Sequence, residues 1–199
     1  MVRSVVRLLV LTDRTQCATS LPDTVAALVD CGARAIVVRE KDLPDAERRA
    51  LVERLRPVLD RAGGLLVVAG RAGSAVHLSA ADAFPAPRPV LVGRSCHNAA
   101  EVARARAEAC DYITVSPVYA SASKPGYGPA LGVDGLGVLC RDAPSVYAPS
   151  VYALGGVLPE HVAGCLAAGA YGVAVMGPLM REPKLVTEYL DALDREALL

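Results

Sequence analysis

Net charge is absent from this sequence: 21 basic residues meet 21 acidic ones over 199 residues, and the isoelectric point lies near 6.8. That balance excludes a basic nucleic-acid footprint and an acidic tail. No C-x-x-C pair occurs either. The six cysteines, at 17, 31, 96, 110, 140 and 165, stand at wide and irregular spacings, which argues against a metal finger or a redox motif. Several have Ala, Val or Leu as neighbours and read as small buried hydrophobes in a reducing compartment. Lysine is scarce. Only Lys41, Lys124 and Lys184 occur, so 18 of the 21 basic residues are arginine, and lysine is expected where a compact, mobile point charge is needed. Aromatic residues make up only 4%, while hydrophobic residues reach 53%, too many for a disordered chain.

The mean hydropathy of +0.35 raises the question of a membrane span. Residues 162–180 carry no charge and approach the ~20 residues that a spanning helix needs. Gly164, Gly169, Gly172, Gly177 and Pro178 interrupt the window, so it reads as a helix end, a turn and a buried strand. Arg3 and Arg7 are followed at once by a strand-like run ending at Thr12-Asp13, which is not the pattern of a secretory signal. A soluble, cytoplasmic chain with one domain over residues 1–199 is expected.

Short apolar runs alternate with amphipathic or Ala-rich segments throughout. Strands are predicted at 5–11, 35–38, 65–68, 75–78, 90–92, 111–115, 151–154 and 171–176. Helices are predicted at 23–31, 44–62, 99–109, 131–140, 159–168 and 183–198, with Pro57 kinking or dividing the second. Eight strands, nearly each followed by a helix, predict an α/β fold of the (β/α)8 TIM-barrel type with few insertions. An open doubly wound sheet is the alternative, although it usually has fewer strands in this length. The tandem repeat Pro144-Ser-Val-Tyr-Ala148 and Pro149-Ser-Val-Tyr-Ala153 reads as a loop insertion followed by the seventh strand.

In a parallel barrel the residues just after each strand share one rim and one pocket. That rule gathers Thr12, Asp13, Arg39, Glu40, Lys41, Arg71, His77, Ser95, His97, Ser116, Tyr119, Lys124, Gly155, Gly156, Met176 and Gly177. Gly155-Gly156 and Gly177 follow strands seven and eight, where backbone N–H groups of barrels often hold a phosphate. A tight turn is the competing reading of the glycine pair. Arg39 and Lys41, two apart on an extended segment, face the same side and can converge on one anionic group. Ser95 reads as a hydrogen-bond donor rather than a nucleophile, because no oriented acid partner accompanies His97. His97 is read first as a structural residue at a helix start and His161 as a surface residue. Ser121, Ser123 and Lys124 lie on a Gly/Pro-rich stretch suited to covering a ligand.

The ordered motifs resemble the thiamine phosphate synthase/TenI superfamily over nearly the whole chain. They are Leu8-Leu9-Val10-Leu11-Thr12-Asp13, Arg39-Glu40-Lys41-Asp42, Val76-His77-Leu78, Gly93-Arg94-Ser95-Cys96-His97, Cys110-Asp111-Tyr112-Ile113, Pro117-Val118-Tyr119, Ser121-x-Ser123-Lys124, Tyr152-Ala153-Leu154-Gly155-Gly156 and Gly172-Val173-Ala174-Val175-Met176. The resemblance implies a (β/α)8 barrel handling a thiazole phosphate. The synthase branch joins that phosphate to a hydroxymethylpyrimidine pyrophosphate with Mg²⁺. The TenI branch isomerises a carboxythiazole phosphate to its aromatic tautomer without a metal.

Departures from the pattern separate the branches. Val37 stands where synthases carry a pyrimidine-binding Gln, and Ala69-Gly70 where they carry an Asn-Asp pair whose Asp helps hold Mg²⁺. Of Gly-Gln-x-Asp only Asp82 remains. Pro117 stands where tautomerases can carry a proton-transferring His. The resulting expectation is a TenI-like thiazole tautomerase needing no metal or cofactor. Gly155, Gly156, Met176 and Gly177 would hold the phosphate, and Arg39 and Lys41 a carboxylate and the delocalised anion. His77, Ser95, Ser121, Ser123 and Lys124 would line the pocket, with proton transfer falling to His97, Tyr119, His77 or an ordered water. Two other readings stand beside it: a synthase with a reduced, Mg²⁺-dependent metal site, and a non-catalytic thiazole-phosphate-binding protein. In each case the partner is a small phosphorylated thiazole, with no nucleic acid or membrane involved. A homo-oligomer is left open.

Overall fold

The computed structural model describes residues 6–120, 129–141 and 148–195. Eight parallel strands close on themselves in chain order, with the eighth paired back to the first. They are β1 (Leu8–Leu11), β2 (Ala35–Val38), β3 (Leu65–Ala69), β4 (Ala75–Leu78), β5 (Leu91–Cys96), β6 (Tyr112–Val115), β7 (Ser150–Leu154) and β8 (Gly172–Val175). The helices are α1 (Leu21–Asp30), α2 (Asp45–Arg61), α3 (Ala99–Ala107), α4 (Gly132–Arg141), α5 (Val162–Ala167), α6 (Gly177–Arg181) and α7 (Val186–Arg195). The chain is a (β/α)8 barrel, and β2 and β4 coincide with their predicted limits.

The strands are nearly continuous apolar runs because both of their faces are buried. Successive side chains point to opposite faces, which divides the core in two. Leu9, Leu11, Ala35, Val37, Val67, Ala69, Tyr112, Tyr152 and Ala174 fill the lumen. Leu8, Val10, Ile36, Val38, Ile113 and Val115 pack outward against helical residues such as Val25, Leu28, Leu55 and Leu59. Helix starts are set locally: the Ser20 hydroxyl accepts from Asp23 N–H, and Asn98 Oδ1 accepts from Glu101 N–H at 3.0 Å.

Three local expectations change. Pro57 neither divides nor ends α2, which runs unbroken over Asp45–Arg61. The proline is exposed, and Val52, Leu55 and Leu59 anchor the opposite face on both sides of it, so the lost bond falls toward water. The last helix begins as a 3-10 turn at Pro183–Leu185 before α7. The short α6 was not predicted. The window 162–180 holds α5, a turn, β8 and α6, and no helix among the described residues is long and apolar enough to cross a membrane. In the tandem pentapeptide, the second copy supplies β7, while the first lies mostly outside the described residues.

One pair sets the lumen packing. A Cβ added at Gly93 would lie 2.0 Å from Cζ of Tyr112 and 2.4 Å from two further ring carbons, so this glycine makes room for the ring. Gly93→Ala is expected to lower the unfolding free energy by about 1–3 kcal/mol, the usual cost of overpacking. Combined with Tyr112→Leu, the loss should be well below the sum of the two single variants in urea denaturation. Additive losses would contradict this packing.

Candidate active site

Above Tyr112 the lumen turns polar. The Tyr112 hydroxyl lies 3.0 Å from His77 Nδ1, and His77 Nε2 lies 2.9 Å from Ser95 Oγ. The two rings stack at 5.5 Å with their planes 27° apart. Burial, then the charges of Lys41, Arg39 and Arg94, lower the His77 pKa to about 3, so its ring is neutral at physiological pH. Burial also holds the Tyr112 phenol well above its usual range. Among the described residues His77 is the only hydrogen-bond partner of Tyr112, so the phenol donates to Nδ1. Nε2–H then donates to Ser95, whose own proton is left to point into the mouth. His77 therefore lines the lumen, and Ser95 keeps its own hydroxyl proton to donate.

The β2 end supplies positive charge. Thr12 Oγ1 donates to Glu40 Oε1 at 2.6 Å and accepts from Arg39 N–H at 2.9 Å, while Arg14 N–H and its guanidinium both donate to Glu40 at 3.2 Å. Glu40 is buried and locks the β1 and β2 loops together. The residues on either side, Arg39 and Lys41, are left for the mouth. Their proximity shows in Lys41, whose pKa is lowered by partial burial and then by Arg39, against an opposing pull from Asp82. Asp82 Oδ2 accepts Ser79 N–H at 2.6 Å. Burial works to raise the Asp82 pKa, but the Ser79 hydrogen bonds and the charges of Lys41 and Arg94 outweigh it.

Three residues given no role from the sequence shape this region: Arg94, Arg104 and Thr114. Arg94 is fully buried on the outer face of β5 and donates to the carbonyls of Ser79 and Asp82 at 2.8 and 2.9 Å, with Glu108 as its ion-pair partner. Arg104 donates to Ala80 and Asp82 carbonyls at 2.9 and 2.7 Å, so two guanidiniums fasten the β4–β5 connection that carries Asp82. Thr114 is the third, a buried hydroxyl on β6. Strand alternation from Tyr112 was the signal that could have placed it in the lumen.

On the far arc, Gly155 and Gly156 adopt φ of 94° and 62°. A Cβ on Gly156 would lie 2.4 Å from the Ala120 carbonyl oxygen, and Tyr119 N–H donates to the Gly155 carbonyl at 2.9 Å. The turn chemistry is therefore real. Among the described residues neither Gly155 N–H nor Gly156 N–H donates to a backbone carbonyl outside the strand ladders. Met176 packs at the lumen edge, and Gly177 opens α6, the short extra helix that often completes a barrel phosphate site.

The remaining candidates lie elsewhere. Tyr119 packs with the outer core rather than the lumen, its ring stacked on His161 at 4.0 Å. His161 is half-buried and accepts Leu158 N–H at 3.1 Å, which corrects its reading as a surface residue. His97 is held at the start of α3, where Glu101 Oε2 accepts both its N–H and its Nδ1 side at 2.7 and 2.9 Å. Its ring is thus engaged as a helix-start residue. Ser121, Ser123 and Lys124 lie outside the described residues.

Comparison with known proteins adds to this geometry. A family model described as "Thiamine monophosphate synthase" matches residues 8–179. The chain is 33% identical to a thiamine-phosphate synthase of Methanoregula boonei, covering 82% of this chain and 80% of that one. It is 32% identical to the thiamine-phosphate synthase of Methanoculleus marisnigri, with 83% of each covered. In fold it is similar to a thiamine phosphate pyrophosphorylase from Pyrococcus furiosus, with a TM-score of 0.80 at 22% identity over 95% of this chain and 96% of that one. These relatives overturn the tautomerase expectation. Val37 and Ala69-Gly70 are departures at single positions, whereas the similarity runs along most of the chain.

The buried neutral His77 has a pH consequence. Its folded pKa of about 3 lies below the usual value near 6.5, so the unfolded chain binds the extra proton between those limits. Its contribution to stability is present above pH 6.5 and declines as pH falls toward 3. Unfolding midpoints of the wild type should therefore drop more steeply with acid than those of His77→Gln. Parallel pH profiles would contradict the assignment.

Proposed function

The chain belongs to the thiamine monophosphate synthase family, and from that membership we propose that it joins a thiazole phosphate to a hydroxymethylpyrimidine pyrophosphate, releasing pyrophosphate. What supports the reading is that two stretches suited to holding an anion end on one barrel mouth. Arg39 and Lys41 stand at the end of β2, and the Gly155-Gly156 turn with Gly177 stands at the ends of β7 and β8. Two phosphorylated substrates need two such seats.

The roles follow from charge and hydrogen bonding. The thiazole phosphate sits on the N–H groups of Gly155, Gly156 and the first turn of α6. The pyrophosphate end of the second substrate sits against Arg39 and Lys41. The thiazole nitrogen supplies an electron pair to the methylene carbon as the carbon–oxygen bond to pyrophosphate breaks. The leaving group departs with that bond's electrons, and the two cations stabilise the charge it gains. The lone pair is already on the nitrogen, so the step needs no general base. That is compatible with a neutral His77 and with a His97 engaged by Glu101.

The resemblance also implies Mg²⁺, and the donor set here does not fit a resident ion. Among the described residues no three His, Cys, Asp or Glu side chains come together. β3 ends at Ala69 and Gly70 follows it, neither offering a side-chain oxygen, and one Asp82 oxygen already accepts Ser79 N–H. Magnesium needs an octahedron of oxygens. An ion carried in on the pyrophosphate's own oxygens would find Asp82 as its carboxylate here, while Arg39 and Lys41 take up the rest of the leaving group's charge.

With both precursors the purified protein should release pyrophosphate and form thiamine phosphate. Arg39→Ala and Lys41→Ala should each lower kcat by about 10²–10³ while leaving the unfolding midpoint nearly unchanged. Binding of both precursors without pyrophosphate release, or unchanged turnover in both variants, would contradict the reading.

A further inference from the structure

Thr114 has an unexplained hydroxyl. Its side chain is fully buried, and among the described residues Oγ1 has no hydrogen-bond partner. The lumen contains Tyr112, two residues earlier on the same strand, so alternation aims Thr114 inward, while Ile113 and Val115 face the helices. In register it pairs with Ser95 on β5, the residue whose proton the Tyr112–His77 chain leaves pointing at the mouth. An unpaired buried hydroxyl loses its water and gains nothing in return, so valine of the same shape would suit an empty barrel better.

The lumen is also lopsided. Val37 and Ala69 make its β2–β3 wall, both buried and without a hydrogen-bonding side chain. The polar side chains His77, Ser95 and Thr114 all belong to β4, β5 and β6. A flat heterocycle entering from the mouth would meet apolar contact on one side and two adjacent hydroxyls on the other.

We propose that Thr114, beside Ser95, hydrogen-bonds the polar edge of the pyrimidine substrate and so sets which heterocycle this barrel accepts. The inference rests on the synthase reading above. The thiazole is unsuited to this place, because its nitrogen lone pair must stay free to form the new bond. Pyrimidine ring nitrogens accept hydrogen bonds, and Val37 and Ala69 can donate none.

Thr114→Val is the direct test, with Thr114→Ser as the conservative control. In Thr114→Val the KM for the pyrimidine pyrophosphate, and its Kd by calorimetry, should rise about tenfold, the worth of one hydrogen bond. Affinity for thiazole phosphate and the unfolding midpoint should hold or improve, and Thr114→Ser should restore most of the lost affinity. Unchanged pyrimidine affinity in Thr114→Val, with an active wild type, overturns the proposal and leaves the synthase reading standing. Equal weakening of both substrates, or a lowered midpoint rescued by serine, shows a structural hydroxyl and also overturns it. If the wild type binds the pyrimidine precursor without turnover, the synthase reading fails and calorimetry still decides the role of Thr114. A wild type that does not bind that precursor overturns both.

Discussion

The rest of the mouth depends on how Tyr112 occupies the lumen. Its ring fills the space that Gly93 leaves open, meets Tyr152 edge-on at 5.7 Å, and so closes the barrel interior beneath the site. A phenol at that depth cannot leave its hydroxyl unpaired, and the group within reach is His77. Once His77 accepts there, its other nitrogen must donate, and Ser95 becomes a donor toward the mouth. One packing decision on β5 and β6 thus sets the hydrogen-bond direction of a residue two steps away. Replacing the phenol with an aliphatic side chain would remove both the floor of the pocket and the polarity of its wall.

The second element of the design is charge placement in a chain with no net charge. Glu40 is spent inside the protein, holding the β1 and β2 loops through Thr12 and Arg14. Arg94 is spent in the same way, fastening the segment that ends at Asp82. These buried charges carry no ligand. They fix the backbone from which Arg39, Lys41 and Asp82 project, beside Asp13, whose charge Arg39 also meets.

The fold was legible because the barrel repeats a simple pattern. The Ala35–Val38 and Ala75–Leu78 runs are short, apolar and bounded by polar residues, and both strands appeared where periodicity put them. Pro57 misled because its cost depends on which face it occupies, and that is set by packing rather than by the residue. α6 escaped notice because Gly177 and Pro178 look like a stop signal, although in this position they open a helix. In the site, the nearness of Arg39 to Lys41 follows from their i, i+2 spacing. The roles of Glu40, Arg94 and Thr114 could not be read from spacing, since each depends on partners far away in sequence. Tyr119 and His97 looked available by position, yet they are occupied by His161 and Glu101. The branch assignment failed for a related reason: individual ligand positions can change while the frame that carries the chemistry stays.

The account centres on two anion seats on one mouth with a ring bed between them. The most direct measurement is a crystal structure with thiazole phosphate and inorganic pyrophosphate bound together. The account predicts the thiazole phosphate group on the N–H groups of Gly155, Gly156 and Gly177, and pyrophosphate against Arg39 and Lys41, with the lumen wall of Ser95 between them. Both anions on one arc of the rim, or pyrophosphate bound away from Arg39 and Lys41, would contradict it.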